Sequence, residues 1–153
     1  MKRIVLLDNV RSAFNVGSIF RTADGANWNE IVLCGITPYP PNPKLLKTAL
    51  GSTEYVQWKR FNTTLEGVEY VKSLSIPIYS IEQSDNSIMF DERTINYPDD
   101  LCIVFGHELL GVDKNILELS DKVIELPMLG KKNSLNVGVT AGIVMYYINA
   151  RTK

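Results

Sequence analysis

Three breaks in the apolar pattern of this chain carry the residues that could do chemistry. In the last third, the β-branched run Val123-Ile124-Glu125-Leu126 stops at Pro127, passes through Met128-Leu129-Gly130-Lys131-Lys132-Asn133, and restarts as a helix near Ser134. A loop rich in Gly and Lys between a strand and a helix suits ligand binding. Ser134 and Asn136 also fit a plain helix start, Ser134 as N-cap and Asn136 in the first turn, each satisfying orphan backbone donors. Earlier, Val104-Phe105 runs into Gly106-His107-Glu108-Leu109-Leu110-Gly111, where the missing side chain of Gly106 lets a ligand approach the backbone. Near the start, Asn15-Val16-Gly17-Ser18-Ile19-Phe20-Arg21-Thr22-Ala23-Asp24 opens a helix. Val16, Ile19, Phe20 and Ala23 form its core stripe, and Arg21 falls nearly opposite, on the solvent side.

The elements that must position these residues alternate. Apolar strand patterns at 3–7, 30–34, 55–58, 76–81, 101–105 and 122–126 are separated by helical ones starting at Asn15 and spanning 44–50, 63–74 and 112–120. That alternation predicts an α/β fold, a mainly parallel sheet flanked by helices. The stretch 35–43, with four prolines, reads as an exposed loop. Thr63 to Glu66 opens a helix and Pro77 marks its end. Residues 82–87 form a polar turn at a strand's carboxyl end, where open α/β sheets bind ligands. Residues 88–100 read as irregular, with room for a short helical turn, and Trp58 is open between core and surface. In the C-terminal helix, Val137, Ala141, Val144 and Ile148 make one apolar stripe, and Val139, Ile143, Tyr146 and Ala150 a second, roughly 160° away. A helix apolar on two sides needs two partners, the sheet and a second copy of the chain, which predicts a twofold dimer.

Composition bounds the rest. A chain of 153 residues is expected to be one domain, 1–153, large enough to bury roughly two thirds of its unfolded surface. Hydrophobic residues at 45% and charged ones at 22% exclude a disordered or fibrous class. A net charge of -1 is not that of a protein that coats nucleic acid nonspecifically, so any RNA contact is local. Its candidates are Arg11, Arg21, Lys44, Lys47, Lys131 and Lys132; all read also as solvated surface, which for any single lysine is the better reading. Neither a run of about 18 apolar residues nor a signal-peptide pattern is seen, so a cytoplasmic protein without a membrane partner is expected. Cys34 and Cys102 lie in apolar runs without a CxxC pair, which predicts buried free thiols. With a single glycine between Asn15 and Asp24, a dinucleotide-binding Gly-x-Gly-x-x-Gly is missing.

In their order and at their distances, the three stretches resemble the signature motifs of the SpoU/TrmH branch of the SPOUT RNA methyltransferases. Those motifs are N-x-G-S-I-x-R-T-A-D-G, then F-G-x-E-x-x-G, then L-P-M-x-G-x-x-x-S-L-N-V, and the resemblance spans residues 15 to 138. Thr48-Ala49-Leu50-Gly51-Ser52 is similar to the family's A-x-G-[AS] segment. The resemblance implies S-adenosyl-L-methionine bound in a bent form among three loops at the carboxyl end of the sheet, with the C-terminal part threaded as a deep trefoil knot. Carried over by position, Ile81, Gly106, Leu126, Met128 and Leu135 would line the cofactor pocket. Arg21, Asn15, Glu108, Ser134 and Asn136 would be the catalytic set, with Ser134 and Asn136 facing the substrate and the methionine part, and Arg21 reaching the crevice across a twofold axis. Glu108 could equally anchor loop amides, and His107 is expected to be a spectator.

The activity implied is RNA ribose 2′-O-methylation of tRNA or rRNA by a metal-independent homodimer, with tRNA the first choice. Two alternatives are a catalytically silent RNA-binding module of the same fold and a base-N methyltransferase of the same superfamily. The family gives proton removal to the motif-one arginine. A guanidinium does not readily accept a proton, so Arg21 acts either as an unusual base or as an electrostatic stabiliser of the developing alkoxide.

Overall fold

The computed structural model describes residues 1–152; Lys153, the last residue of the expected domain, lies outside them. Seven strands, β1 (Arg3–Asp8), β2 (Glu30–Cys34), β3 (Gln57–Phe61), β4 (Ile78–Ile81), β5 (Ile88–Met89), β6 (Leu101–Gly106) and β7 (Lys122–Glu125), form one sheet. Its order is β3-β2-β1-β6-β4-β7-β5, and every pairing is parallel. Five helices cover it: α1 (Ala13–Gly25), α2 (Pro43–Ala49), α3 (Thr64–Ser73), α4 (Lys114–Leu119) and α5 (Val137–Arg151).

The central strands are apolar throughout because both of their faces are covered, as a parallel sheet requires. All six residues of β1 are buried. Val5 and Leu7 point into one core with Val16, Ile19 and Phe20 of α1, Leu45 of α2, and Ala141, Val144 and Ile148 of α5. Ile4 and Leu6 point into the other, with Val68 and Val71 of α3 and Ile116 of α4. Cys34 and Cys102 are free and buried in this second core. Burial first, then the charges of Asp8 and Glu66, pushes the Cys34 thiol up to about 12, so it stays protonated and unreactive.

The boundaries differ from the sequence reading in physically instructive places. The strand expected at 55–58 is β3, shifted to 57–61, because residues 52–54 close a 3-10 turn and leave Tyr55 exposed. Trp58 is half-buried against the first core. The proline-rich stretch is not wholly exposed: Thr37 is buried, its hydroxyl accepting from Val10 N at 3.0 Å and donating to Cys34 O at 2.7 Å. Residues 88–100 contain no helix but two turns closed by Glu92 N to Met89 O and Ile95 N to Glu92 O; they hold β5, paired to β7, and they plug Ile95 and Tyr97 into the first core. The helix read at 112–120 spans 114–119 because the Asp113 carboxylate caps it, accepting from Asn115 N. Among the described residues, no helix is long and apolar enough to cross a membrane.

Candidate active site at the carboxyl end of the sheet

Parallel pairing brings the ends of β1, β4, β6 and β7 to one edge of the sheet, and so gathers the loops that follow them. A cavity of about 700 Å³ opens there, lined by Ile81, Gly106, Glu108, Leu126, Met128, Ser134, Leu135 and Asn136 among others. Three segments far apart in sequence therefore meet at one place.

The join is a chain of side-chain hydrogen bonds. The Asn136 amide Nδ2 donates to Asn15 Oδ1 at 3.1 Å, and the Asn15 amide Nδ2 donates to Glu108 Oε1 at 3.4 Å. Each of the three motifs contributes one member. Asn15 is fixed from below by its place in the first turn of α1, where its backbone N–H donates to the N-cap Ser12. Glu108 accepts from Arg11 N and Ser12 N, both at 2.9 Å. Partial burial alone would raise the Glu108 pKa. The backbone N–H groups of Ser12, Arg11 and Glu108 itself, with the Asn15 amide, outweigh it and hold the carboxyl below its usual range.

Asn136, not Ser134, is the N-cap of α5: its Oδ1 accepts from Gly138 N at 2.8 Å and Val139 N at 3.2 Å. The helix accordingly begins at Val137 rather than near Ser134. Ser134 lines the cavity and is exposed.

The loop after β6 is held by close backbone approach. A side chain on Gly106 would overlap the backbone of Gly111 and Val112, so only glycine fits. Gly111 has φ +71°, the left-handed region. His107 and Gly111 exchange backbone hydrogen bonds at 3.1 and 2.8 Å, and His107 Nδ1 accepts from Leu109 N and Leu110 N at 3.0 and 3.2 Å. The imidazole thus clasps the turn.

Arg21 stands apart. It is exposed on α1, does not line the cavity of its own chain, and has no hydrogen-bond or ion-pair partner among the described residues. Three carboxylates that sequence reasoning did not single out shape the site. Buried Asp8 accepts from Thr64 Oγ1 at 2.6 Å and Asp113 N at 2.7 Å. Glu82 accepts from Val112 N at 3.0 Å, and Glu125 from Ser87 Oγ at 2.7 Å; both line the cavity. Asp8 could have been noticed as an acid closing an apolar strand, and Glu82 lies in the polar turn already expected to face a ligand. Among the described residues, no three His, Cys, Asp or Glu side chains come together as a metal site.

Set beside known proteins, residues 2–146 match the SpoU rRNA methylase family. The chain is 32% identical over 142 residues to the tRNA (guanosine(18)-2′-O)-methyltransferase of Escherichia coli strain K12, covering 93% of this chain and 60% of that one. It is 31% identical over 147 residues to the 23S rRNA (guanosine(2553)-2′-O)-methyltransferase of Bacillus subtilis, covering 96% and 58%. The crystal structure of an AdoMet-bound rRNA methyltransferase from Sinorhizobium meliloti superposes with a TM-score of 0.89 at 25% identity, covering 97% of this chain and 56% of that one. The chain thus spans about 60% of the length of the curated relatives it matches.

Proposed function

The chain belongs to the SpoU rRNA methylase family, and from that premise we propose that it is an S-adenosylmethionine-dependent methyltransferase acting on a ribose 2′-hydroxyl of tRNA or rRNA. The observation that carries the reading is the hydrogen-bonded series Asn136–Asn15–Glu108 beside one cavity, since it joins the three motifs at a single point.

The residues present fit the cofactor. Adenine has a flat apolar face and a polar edge, and the cavity offers Ile81, Leu126 and Leu135 side chains beside the backbone of the Gly106 loop. Ser134 and Asn136 would face the methionine part and the ribose. When bound, S-adenosylmethionine supplies a methyl group on a cationic sulfur, open to in-line attack by the ribose oxygen. Glu108 acts as a positioning residue: its carboxylate is spent on the backbone of Arg11 and Ser12, which fixes the entry to α1. Arg21 would hold an RNA phosphate and stabilise the alkoxide that develops at the 2′-oxygen as its proton passes to solvent water, the oxygen–methyl bond forming while the sulfur–methyl bond breaks.

The same reading has the chain working as a homodimer and Arg21 serving the cavity of the partner. Val139, Ile143 and Tyr146 support it: they are 53%, 40% and 55% exposed along one side of α5, beside the helix that carries Arg21. It also has the C-terminal part threaded as a trefoil knot. In support, β7 enters the sheet between β4 and β5, and the Gln83 amide after β4 donates to Asn133 O after β7 at 2.8 Å. A substrate of tRNA or rRNA puts the protein in the cytoplasm.

The test is transfer of labelled methyl to RNA from a strain lacking the gene, followed by nucleoside analysis. A 2′-O-methylnucleoside is expected; a base-methylated product or no transfer would overturn the reading. Arg21→Ala should abolish turnover while cofactor binding persists. Chains carrying Arg21→Ala and Asn136→Ala, inactive alone, should regain activity when mixed if Arg21 acts in the partner's site. Light scattering reads the dimer directly, and stretching the chain by its ends to less than its full contour length reads the knot.

A further inference from the structure

A second cavity of about 440 Å³ adjoins the first, and the two share His107, Glu108 and Leu109 as a common wall. From its lining we infer that it holds one unstacked nucleotide of the RNA, the base against Phe14 and Leu109 and the phosphate on Arg11 and Lys44. The inference rests on the methyltransferase reading for its donor side and deepens it by naming residues that would position the acceptor.

The volume lies within the range of small-molecule sites. Phe14 and Leu109 are large apolar side chains left 45% and 83% exposed, and an exposed aromatic ring at a cavity mouth is a stacking surface for a base. Arg11 and Lys44 supply two cations whose side chains have no hydrogen-bond or ion-pair partner among the described residues, so both are available to a phosphate. The one acid in the lining, Glu108, has its two oxygens turned to the N–H groups of Arg11 and Ser12, and its single negative charge is outnumbered by the two cations. This combination selects an aromatic anion over a cationic or purely apolar ligand. The arrangement is also continuous with the rest of the site. A nucleotide seated here is separated from the larger cavity only by the Glu108 loop.

The probe is a short fluorescein-labelled oligoribonucleotide of mixed sequence, titrated against the full chain by anisotropy in the presence of S-adenosylhomocysteine. Arg11→Ala with Lys44→Ala should weaken binding by about tenfold or more and lower the slope of log Kd against log salt by about one. Phe14→Ala should weaken it about tenfold, and Phe14→Trp should restore it. Lys72→Ala, on the opposite face of the sheet, should leave affinity unchanged, and calorimetry with S-adenosylhomocysteine should give wild-type binding in every variant. Unchanged affinity and salt slope in the double variant, or an oligonucleotide the wild type does not bind, overturns the assignment. A wild type that binds the oligonucleotide through these residues but transfers no methyl group would instead sink the enzymatic reading alone.

Discussion

Segments 106–113 and 126–136 both contribute side chains to the lining of the same cavity, yet the first is tied down along its length and the second is tied at few points. In the first, His107 and Gly111 close on each other, His107 clasps two amides, and Glu82 and Asp8 take the N–H groups of Val112 and Asp113. In the second, the bonds to other segments are Gln83 to Asn133 O and Asn136 to Asn15, Leu129 is 94% exposed, and residues 129–136 all lie at the surface. One wall is completed by the chain's own hydrogen bonds. The other has backbone groups and apolar side chains left over for something else to engage, the property expected of the side that closes over a ligand.

On that contrast, the largest single effect belongs to Gly106→Ala. The added methyl would overlap the backbone of Gly111 and Val112, and backbone cannot rotate aside as a side chain can. A loss of about 3 kcal/mol in urea unfolding is expected, with cofactor binding lost in parallel. Next comes Asn136→Ala, which removes the cap of α5 and the link to Asn15; about 1 to 2 kcal/mol is expected on the same assay.

The first wall was the more legible of the two from sequence, and for a physical reason. An apolar strand followed by Gly-x-Glu-x-x-Gly announces both where the strand stops and where a close approach is needed. The second wall contains two good capping residues, Ser134 and Asn136, and propensity cannot choose between them. The choice is made by Asn15, 121 residues away. The same limit hid Asp8, Glu82 and Thr37, whose partners are remote in sequence. β3 was misplaced because an edge strand carrying Lys59 and Arg60 has no apolar period to read, and β5, with two residues, is too short for any period. Arg21 was correctly read as solvent-facing from the α1 stripe, and nothing within one chain says what it meets.

A smaller effect separates the walls by pH. Glu108 has its pKa depressed in the folded chain, so its contribution to stability is fully present above the ordinary carboxylate pKa and is lost as pH falls through its own, lower value. Glu108→Gln keeps one acceptor oxygen and loses the other. Urea midpoints should therefore fall by about 1 kcal/mol equivalent at neutral pH, and the gap between variant and wild type should narrow as the solution is acidified. A gap that widens in acid would mean the carboxyl is protonated in the folded state.

The smallest effect is the most discriminating, because it repeats the Gly106 substitution on the opposite wall. No atom outside its immediate neighbours lies within 4 Å of where a Gly130 side chain would begin, and its φ is outside the left-handed region. Gly130→Ala therefore meets no steric cost in the folded chain and removes some freedom from the unfolded one. The expected change is at most about 0.5 kcal/mol, in the stabilising direction. Should it instead destabilise by more than about 1 kcal/mol, the second wall would have to be packed far more tightly than its exposure indicates, and the contrast between the two walls would fail at its open side.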